Sequence, residues 1–331
     1  MNYKVLSLFF SLIIIFSSCS QNATRSKETT DKKKKSLVVA PVFNADSAYY
    51  FVEKQVLFGP RVPGTVAHSA CANWFEEKFN DYADTVIIQN FKARTYDNIT
   101  RNGKNIIASF NPENKSRVLL MSHWDSRPYA DYDSDDTKHG TAIDGANDGA
   151  SGVGVLMEMA RQFSLQKPDI GIDIVLFDLE DWGPPTQLQI TKTEYWGLGS
   201  QYWSKTPHVY AYSASYGILL DMVGTKNPIF PREYFSQLYA PSVMDMVWNY
   251  ASDIGYGDYF VNRQGPSIND DHYFVNTIAN IPSIDIIHLD RGSANSSFFD
   301  HWHTSTDNME NIDKSSLKMV GHVVMTVVYN E

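Results

Sequence analysis

The 331-residue chain holds only two cysteines, Cys19 and Cys71. Cys19 falls in the targeting segment described below. Cys71 is then alone, which excludes an intrachain disulfide in the mature protein. No histidine is placed to activate Cys71, and it reads as a small core residue on a helix. Basic charge is also scarce. Of 28 Lys and Arg and 38 Asp and Glu, seven basic and two acidic residues precede Ser36, so the rest carries 21 against 36, a net −15. Nucleic-acid binding needs a basic footprint that such a body lacks. The acidity is read as solubility. There are no internal repeats and no second linker after Ser36. The one long apolar run lies within the first 18 residues and is too short to span a membrane comfortably. Core material is plentiful: 43% of residues are hydrophobic, with 19 Tyr, 18 Phe and 7 Trp, enough for one large domain or two small ones.

The first residues read as a targeting segment. "MNYK" supplies a positive start, "VLSLFFSLIIIF" an apolar stretch, and "SSC" small residues before Cys19. This pattern resembles a bacterial lipoprotein cleavage site. Residues 1–18 are expected to be a signal peptide, Cys19 the lipidated first residue, and polar residues 19–36 a tether. Ordinary signal cleavage with an incidental Cys19 is the alternative. The expectation is an exported, periplasmic protein held to a bacterial membrane only by its lipid.

Beyond Ser36 the pattern alternates. Residues 46–58 and 66–82 predict amphipathic helices, and 85–91, 105–110 and 117–123 predict strands. A helix over 149–163 and a strand over 172–178 follow, then a helix over 198–204 and a strand over 216–223. A helix over 241–254, a strand over 283–289 and a helix over 315–329 complete the chain. Alternating strands and helices predict an α/β domain over residues 37–331, with a mostly parallel, mixed central sheet flanked by helices. Sites in such sheets form at the carboxyl ends of the strands.

The unusual polar residues lie there. "IVLFDLED" (174–181) begins as a buried strand and ends with three acids in four residues. Like charges so crowded repel and cost free energy. His123, Asp148, Glu180, Asp181, Asp221 and His303 form the candidate set. Carboxylates with imidazoles are ligands of catalytic zinc, and a cation relieves repulsion between neighbouring acids. Each residue also has an ordinary reading. "HWD" (123–125) suits a surface turn, Asp148 a helix cap, Asp221 a satisfied buried acid and His303 a hydrogen-bonded loop histidine. Their recurrence at successive strand ends favours a site.

"SHWDS" (122–126), "DGANDGASG" (144–152), "DLED" (178–181), "LLDMVG" (219–224) and "WHTSTDNMENID" (302–313) resemble the zinc aminopeptidases of peptidase family M28. "DDHYF" (270–274), "DIIHL" (285–289) and "HWHTSTDNMENID" (301–313) resemble its glutaminyl cyclase branch, and "WGPPTQLQITKTEYWGLGSQYW" (182–203) its bacterial form. The resemblance runs from about Phe43 to the C-terminus. It implies one zinc per chain on Asp148, Asp181 and His303, with Glu180 as general acid and base. It implies that Asp221 and Asp271 hydrogen-bond beside the reacting amide. Trp302 becomes a pocket wall, Trp196 a second wall with Trp182 as its rival, and His288 a support for the Asp271 region. A strained or cis peptide is implied after Asp148. Two departures stand out: this chain cannot form the disulfide of animal relatives, and Asp181 stands where many relatives have Glu.

The implied reaction converts N-terminal glutamine of peptides and proteins to pyroglutamate and releases ammonia, by a monomeric enzyme. The rival is a two-zinc aminopeptidase, since His123 and Asp221 with a bridging Asp148 could complete a second metal site. A third reading is a non-catalytic surface lipoprotein. It is disfavoured because all six candidate positions are intact.

Overall fold

The fold begins with helices fixed by their caps. In a computed structural model, which describes residues 37–331, α1 (Ala45–Leu57) starts where Asn44 Oδ1 accepts from the amides of Asp46 and Ser47 at 3.0 and 3.1 Å. Thr65 caps α2 (Val66–Tyr82) through His68 N. Such caps satisfy amides that have no partner inside the helix. The chain continues through β1 (Thr85–Arg94), β2 (Thr100–Phe110), β3 (Arg117–His123), α3 (Ala150–Leu165), β4 (Gly171–Phe177), α4 (Leu198–Lys205) and β5 (Tyr216–Asp221). Then come β6 (Phe230–Arg232), α5 (Tyr234–Tyr239), α6 (Pro241–Asp253), β7 (Phe260–Gln264), α7 (Asp271–Phe274), β8 (Ser283–Ile287) and α8 (Lys314–Val328). The expected signal segment, tether and Cys19 lie outside the described residues. Among the described residues no helix is long and apolar enough to cross a membrane.

Six strands form one sheet in the order β1-β2-β4-β3-β5-β8. β4, β3, β5 and β8 are mutually parallel, while β2 runs antiparallel to β4 and to β1. The mixed sheet expected from the alternating pattern is therefore present. Side chains alternate between two buried faces. On β3, Val118 and Leu120 join one core cluster and Leu119 and Met121 the other. On β4, Ile172, Ile174 and Leu176 face the first cluster and Val175 and Phe177 the second. A strand covered on both faces is apolar at nearly every position, and its rare polar residues need partners, which is why these segments read as near-continuous runs. Each fully buried side chain of this size contributes about 1.5–3 kcal/mol.

The structure departs from the predicted elements at its edges. The β1–β2 hairpin is longer than the pattern suggested, pairing Arg94 with Thr100 around a polar turn. Its outer half is half-exposed, so the apolar alternation fades there. The elements β6, β7, α5 and α7 are too short to show a period.

Strand order makes the two ends of the sheet different. From β3 the chain moves to β4 on one side, then crosses to β5 on the other. The crevice at such a switch point lies at the carboxyl ends. At the amino ends sits a fully paired buried acid. Asp173 accepts from Arg117 Nε at 2.6 Å and Nη2 at 3.1 Å, and from Ser109 and Tyr212 hydroxyls at 2.5 and 2.7 Å. Burial alone would raise its pKa, but His208, 3.8 Å away, together with these donors holds it down to about 2. A depressed carboxyl stabilises the fold above its unfolded value near 3.8 and loses that contribution as pH falls through the folded value. Asp173→Asn should cost about 3 kcal/mol near pH 7, since Arg117 stays buried without its counter-charge. In urea titrations the gap to wild type should narrow below about pH 4. A gap that is small at neutral pH, or constant with pH, would refute this account.

Candidate active site

The crowded acids of "IVLFDLED" separate into different jobs once β4 ends. Asp178 turns back into the fold, where its carboxylate binds His68 Nε2 at 3.0 Å and accepts from the amides of Lys104 and Leu179 at 2.6 and 2.8 Å. Leu179 takes a positive φ of 57° and buries its side chain. The amides of Glu180 and Asp181 then donate to the two oxygens of Asp125, at 3.1 and 3.2 Å. Asp125 follows β3, so one carboxylate ties the ends of β3 and β4 together. This clamp lets two adjacent acids serve the site, which straight strand geometry would forbid.

Asp148 arrives from a loop held in the same way. Asp307 accepts from Asn147 N at 2.8 Å and Asp148 N at 3.1 Å. The Asp148–Gly149 peptide is cis. Gly149 abuts His123 so closely that a Cβ would overlap the imidazole and its carbonyl. No side chain caps α3, so Asp148 does not play the capping role open to it in the sequence. Its Oδ1 lies 2.9 Å from His123 Nε2 and its Oδ2 3.7 Å from His303 Nε2.

Two overlapping ligand sets result: Asp148 with Asp181 and His303, and Asp148 with His123 and Asp221. Their spacing differs. Tetrahedral zinc with nitrogen and oxygen at about 2.0–2.2 Å places its ligand atoms roughly 3.3 Å apart. His303 Nε2 lies 3.3 Å from Asp181 Oδ1 and 3.7 Å from Asp148 Oδ2, near that value. Asp181 Oδ2 is buried with no hydrogen-bond partner. The residues present therefore fit a zinc ion. His123 instead meets Asp148 at 2.9 Å, an ordinary hydrogen-bond distance, and Asp221 at 3.3 Å. Burial lowers the affinity of His123 for a proton, but the nearby carboxylates of Asp125, Asp148 and Asp221 outweigh it and raise its pKa.

Beyond the zinc-spaced ligands lie further buried acids. Glu180 is buried, and burial pushes its carboxyl well above the usual range, with Asp270, Asp181 and Asp271 adding repulsion. Burial raises Asp221 to about 7. Asp271 is fully buried at the start of α7, its pKa raised by burial and then by Asp270, and neither oxygen has a hydrogen-bond partner. Ser200 is near it, but the Ser200 hydroxyl donates to Gly197 O. Asp270 is the capping residue, accepting from Asp271 N at 2.5 Å. The two adjacent acids differ in that Asp270 closes a helix with one oxygen and keeps the other unpaired, while both oxygens of Asp271 are unpaired.

Residues 105–328 match Peptidase family M28. The chain belongs to this family. A glutaminyl cyclase from Bacteroides thetaiotaomicron, solved with N-acetylhistamine, is 48% identical with a TM-score of 0.86 and covers 88% of this chain and 99% of its own. A Zn-dependent exopeptidase from Parabacteroides distasonis is 51% identical at the same TM-score, over 88% of this chain and 100% of its own. Among curated proteins, the glutaminyl-peptide cyclotransferase of Gloydius blomhoffii is 27% identical over 267 residues, 69% of this chain and 65% of its own length. The chain thus aligns with just under two thirds of that relative.

In this M28 domain two indoles flank His303. Trp302 stacks on its imidazole at 3.8 Å, and Trp196 lies nearly parallel at 6.3 Å. Both are half-exposed. Trp182, the rival second wall, packs in a separate cluster with Phe91, Leu179 and Leu198 beneath the Arg101 guanidinium. Trp196 is therefore the second indole beside His303. His288 requires a correction. It was expected to support the Asp271 region, but its Nδ1 accepts from Ile229 N at 2.9 Å and the ring lines a groove with Asp290, Phe299 and Asp300. The imidazole beside Asp271 is His272, anchored to Glu233 at 3.0 Å and 4.0 Å from Asp285. Cys71 is buried, and burial pushes its thiol up to about 12, in keeping with a core role.

Sequence reasoning left out the residues that hold the ligands: Asp125, Arg127, Asp131 and Asp307. Asp125 stood within "HWD", and the Arg127–Asp131 spacing was visible. Their partners are backbone amides and distant side chains, which no local pattern reveals.

Proposed function

We propose that this protein is a zinc-dependent glutaminyl-peptide cyclotransferase, acting on peptides and proteins that begin with glutamine. The observation that carries the reading is Asp271, a fully buried carboxylate with both oxygens unpaired, close enough to Glu180 to repel its charge. A hydrolase that activates water on a metal pair has no use for it. A cyclase must hold the amide nitrogen that departs as ammonia, and Asp271 offers two acceptors for its hydrogens. The similarity to solved bacterial glutaminyl cyclases supports the same reading.

Zinc held by Asp148, Asp181 and His303 would supply Lewis acidity toward the side-chain amide oxygen. The chain's own residues do the rest. The substrate carries its nucleophile, so the site fixes an intramolecular geometry and keeps water out, which Trp302 and Trp196 do as apolar walls. The α-nitrogen bonds to the amide carbon as the bond from that carbon to the side-chain nitrogen breaks. Glu180, with its raised proton affinity, takes the proton from the attacking amine and passes it to the leaving nitrogen. Asp221 and Asp271 accept from the N–H groups of the two nitrogens.

The aminopeptidase reading has one specific observation behind it, the His123, Asp148 and Asp221 cluster. That cluster is drawn tighter than the His303 set, with His123 at 2.9 Å from Asp148 and 3.3 Å from Asp221 against 3.3 and 3.7 Å for His303. Elemental analysis of active protein should find one zinc per chain. His303→Ala should lose it, because a strong nitrogen ligand disappears. His123→Ala should keep it. Two tightly held zincs, one of them lost with His123, would instead mark a peptidase.

The exported, lipid-anchored location belongs to the same proposal, supported by the apolar start and "SSC". Cys19→Ser should leave the protein unprocessed or released, as read by fractionation and acyl labelling. Wild-type protein found unacylated in the cytoplasm would contradict it.

The deciding experiment compares Asp271→Asn with Asp270→Asn on a glutamine peptide. The first should keep zinc and melting temperature but lower kcat/KM by roughly 10²–10⁴-fold, as should Glu180→Gln. Asp270→Asn should be mild, since Asn caps nearly as well as Asp. Small and equal effects from the two aspartates would remove the basis for cyclisation. Release of a free amino acid instead of ammonia would replace it with hydrolysis.

A further inference from the structure

Arg127 is buried beside the proposed zinc ligands without being one of them. Its Nε and Nη2 donate to the two oxygens of Asp131, each at 2.7 Å. Its Nη1 donates to the carbonyl of Asp181 at 3.1 Å and to Asp181 Oδ1 at 3.3 Å. The same guanidinium reaches the carbonyls of Gly183 at 3.5 Å and Pro184 at 3.3 Å. It lies 4.9 Å from the centre of the Trp196 ring. That ring is packed so closely on Gly183 that a Cβ there would overlap the indole. Asp131 extends the connection. It accepts from Thr186 N at 2.9 Å and Thr186 Oγ1 at 3.0 Å, and stands 3.4 Å from His303 Nδ1.

One planar cation therefore touches Asp181, the carboxylate behind His303, and the loop and indole that wall the pocket. We propose that Arg127 is a positioning residue that sets the Asp181 and His303 ligands and the Trp196 wall together, so that metal affinity and pocket order are coupled. The pocket half of this proposal rests on the cyclase reading; the metal half does not. The requirement is for arginine in particular. A fork can grip both Asp131 oxygens, reach the Asp181 carboxylate and two carbonyls, and still present a face to an indole. A lysine ammonium carries the same charge as a point and cannot span these partners. Without the guanidinium, Asp131 and Asp181 would be buried acids short of a counter-charge.

The test compares Arg127→Lys with Arg117→Lys in the full chain. Arg117 forks onto a buried aspartate at the other end of the strands, so it reports the cost of losing a fork far from the site. Zinc affinity is read by chelator competition on purified protein, and KM and kcat with a glutamine peptide at saturating zinc. Arg127→Lys should weaken zinc binding by about 10–100-fold, the usual cost of losing a group that supports metal ligands. It should also raise KM roughly tenfold, in proportion to a lost cation–π contact, with kcat changed less than about threefold. Arg117→Lys should lower the melting temperature and leave zinc affinity and KM unchanged. If Arg127→Lys does not fold, the near-isosteric Asp131→Asn should give the same paired effects. Wild-type zinc affinity and KM in the folded variant would overturn the proposal, and so would a change in only one of the two. A wild-type enzyme that fails to cyclise glutamine peptides would defeat the functional reading, while the zinc measurement would still decide the role of Arg127.

Discussion

The structure depends on a surplus of buried carboxylates at one end of its sheet. Asp125, Asp148, Glu180, Asp181, Asp221, Asp270, Asp271 and Asp285 are all buried there, with Arg127 and a few imidazoles opposing them. Several lack any hydrogen-bond donor, including both oxygens of Asp271 and of Asp285. Such a group is costly to bury, and two remedies exist: it takes up a proton, or a cation joins it. Both operate in this arrangement. The acids away from the ligand set have proton affinities raised by burial. Asp148, Asp181 and His303 leave the spacing of an ion between them.

The opposite end shows what the same fold does when no function is asked of a buried acid. Asp173 receives four donors from three side chains and sits quietly between strands. Asp173 and Asp285 occupy the same local sequence, an aspartate between two isoleucines in a short apolar strand. One is satisfied by Arg117 from the neighbouring strand; the other faces Asp270 and His272 with empty oxygens. No property of the tripeptide separates them. The difference lies in which strand each occupies, Asp173 in β4 inside the sheet beside Arg117 and Asp285 in the edge strand β8, and so in topology.

That contrast marks what could be read without coordinates. The parallel strands were legible because burial on both faces forces near-continuous apolar runs. The site was legible as polar residues that interrupt those runs at their carboxyl ends, and the resemblance to a known family then gave each a role. His288 was misplaced because a histidine at the end of a strand can turn either way, and its tie to Ile229 N depends on a loop 59 residues earlier. Asp125, Asp131 and Asp307 were illegible for a related reason. They act by accepting backbone amides and holding a guanidinium, so their signature lies in another segment's conformation. β6 and α5 escaped because three or six residues are too few to display a period.

The two ligand sets around Asp148 bear on how one scaffold hosts relatives with different names, an exopeptidase and a glutaminyl cyclase. A peptidase must bring water to a carbonyl, and a second ion is one way to hold and activate it. A cyclase receives its nucleophile already joined to the substrate, so a second ion has nothing to deliver. Here the second set is drawn together by the close approach of His123 to Asp148 and its hydrogen bond with Asp221, with Gly149 filling the space beside the imidazole. Burial lowers the affinity of this imidazole for a proton, and the Asp148 and Asp221 carboxylates against it raise it. Asp148 therefore has a different imidazole beside each oxygen, His123 at Oδ1 and His303 at Oδ2. Beside them Glu180 has a proton affinity raised by burial and by the repulsion of Asp270, Asp181 and Asp271, as a group proposed to move protons requires.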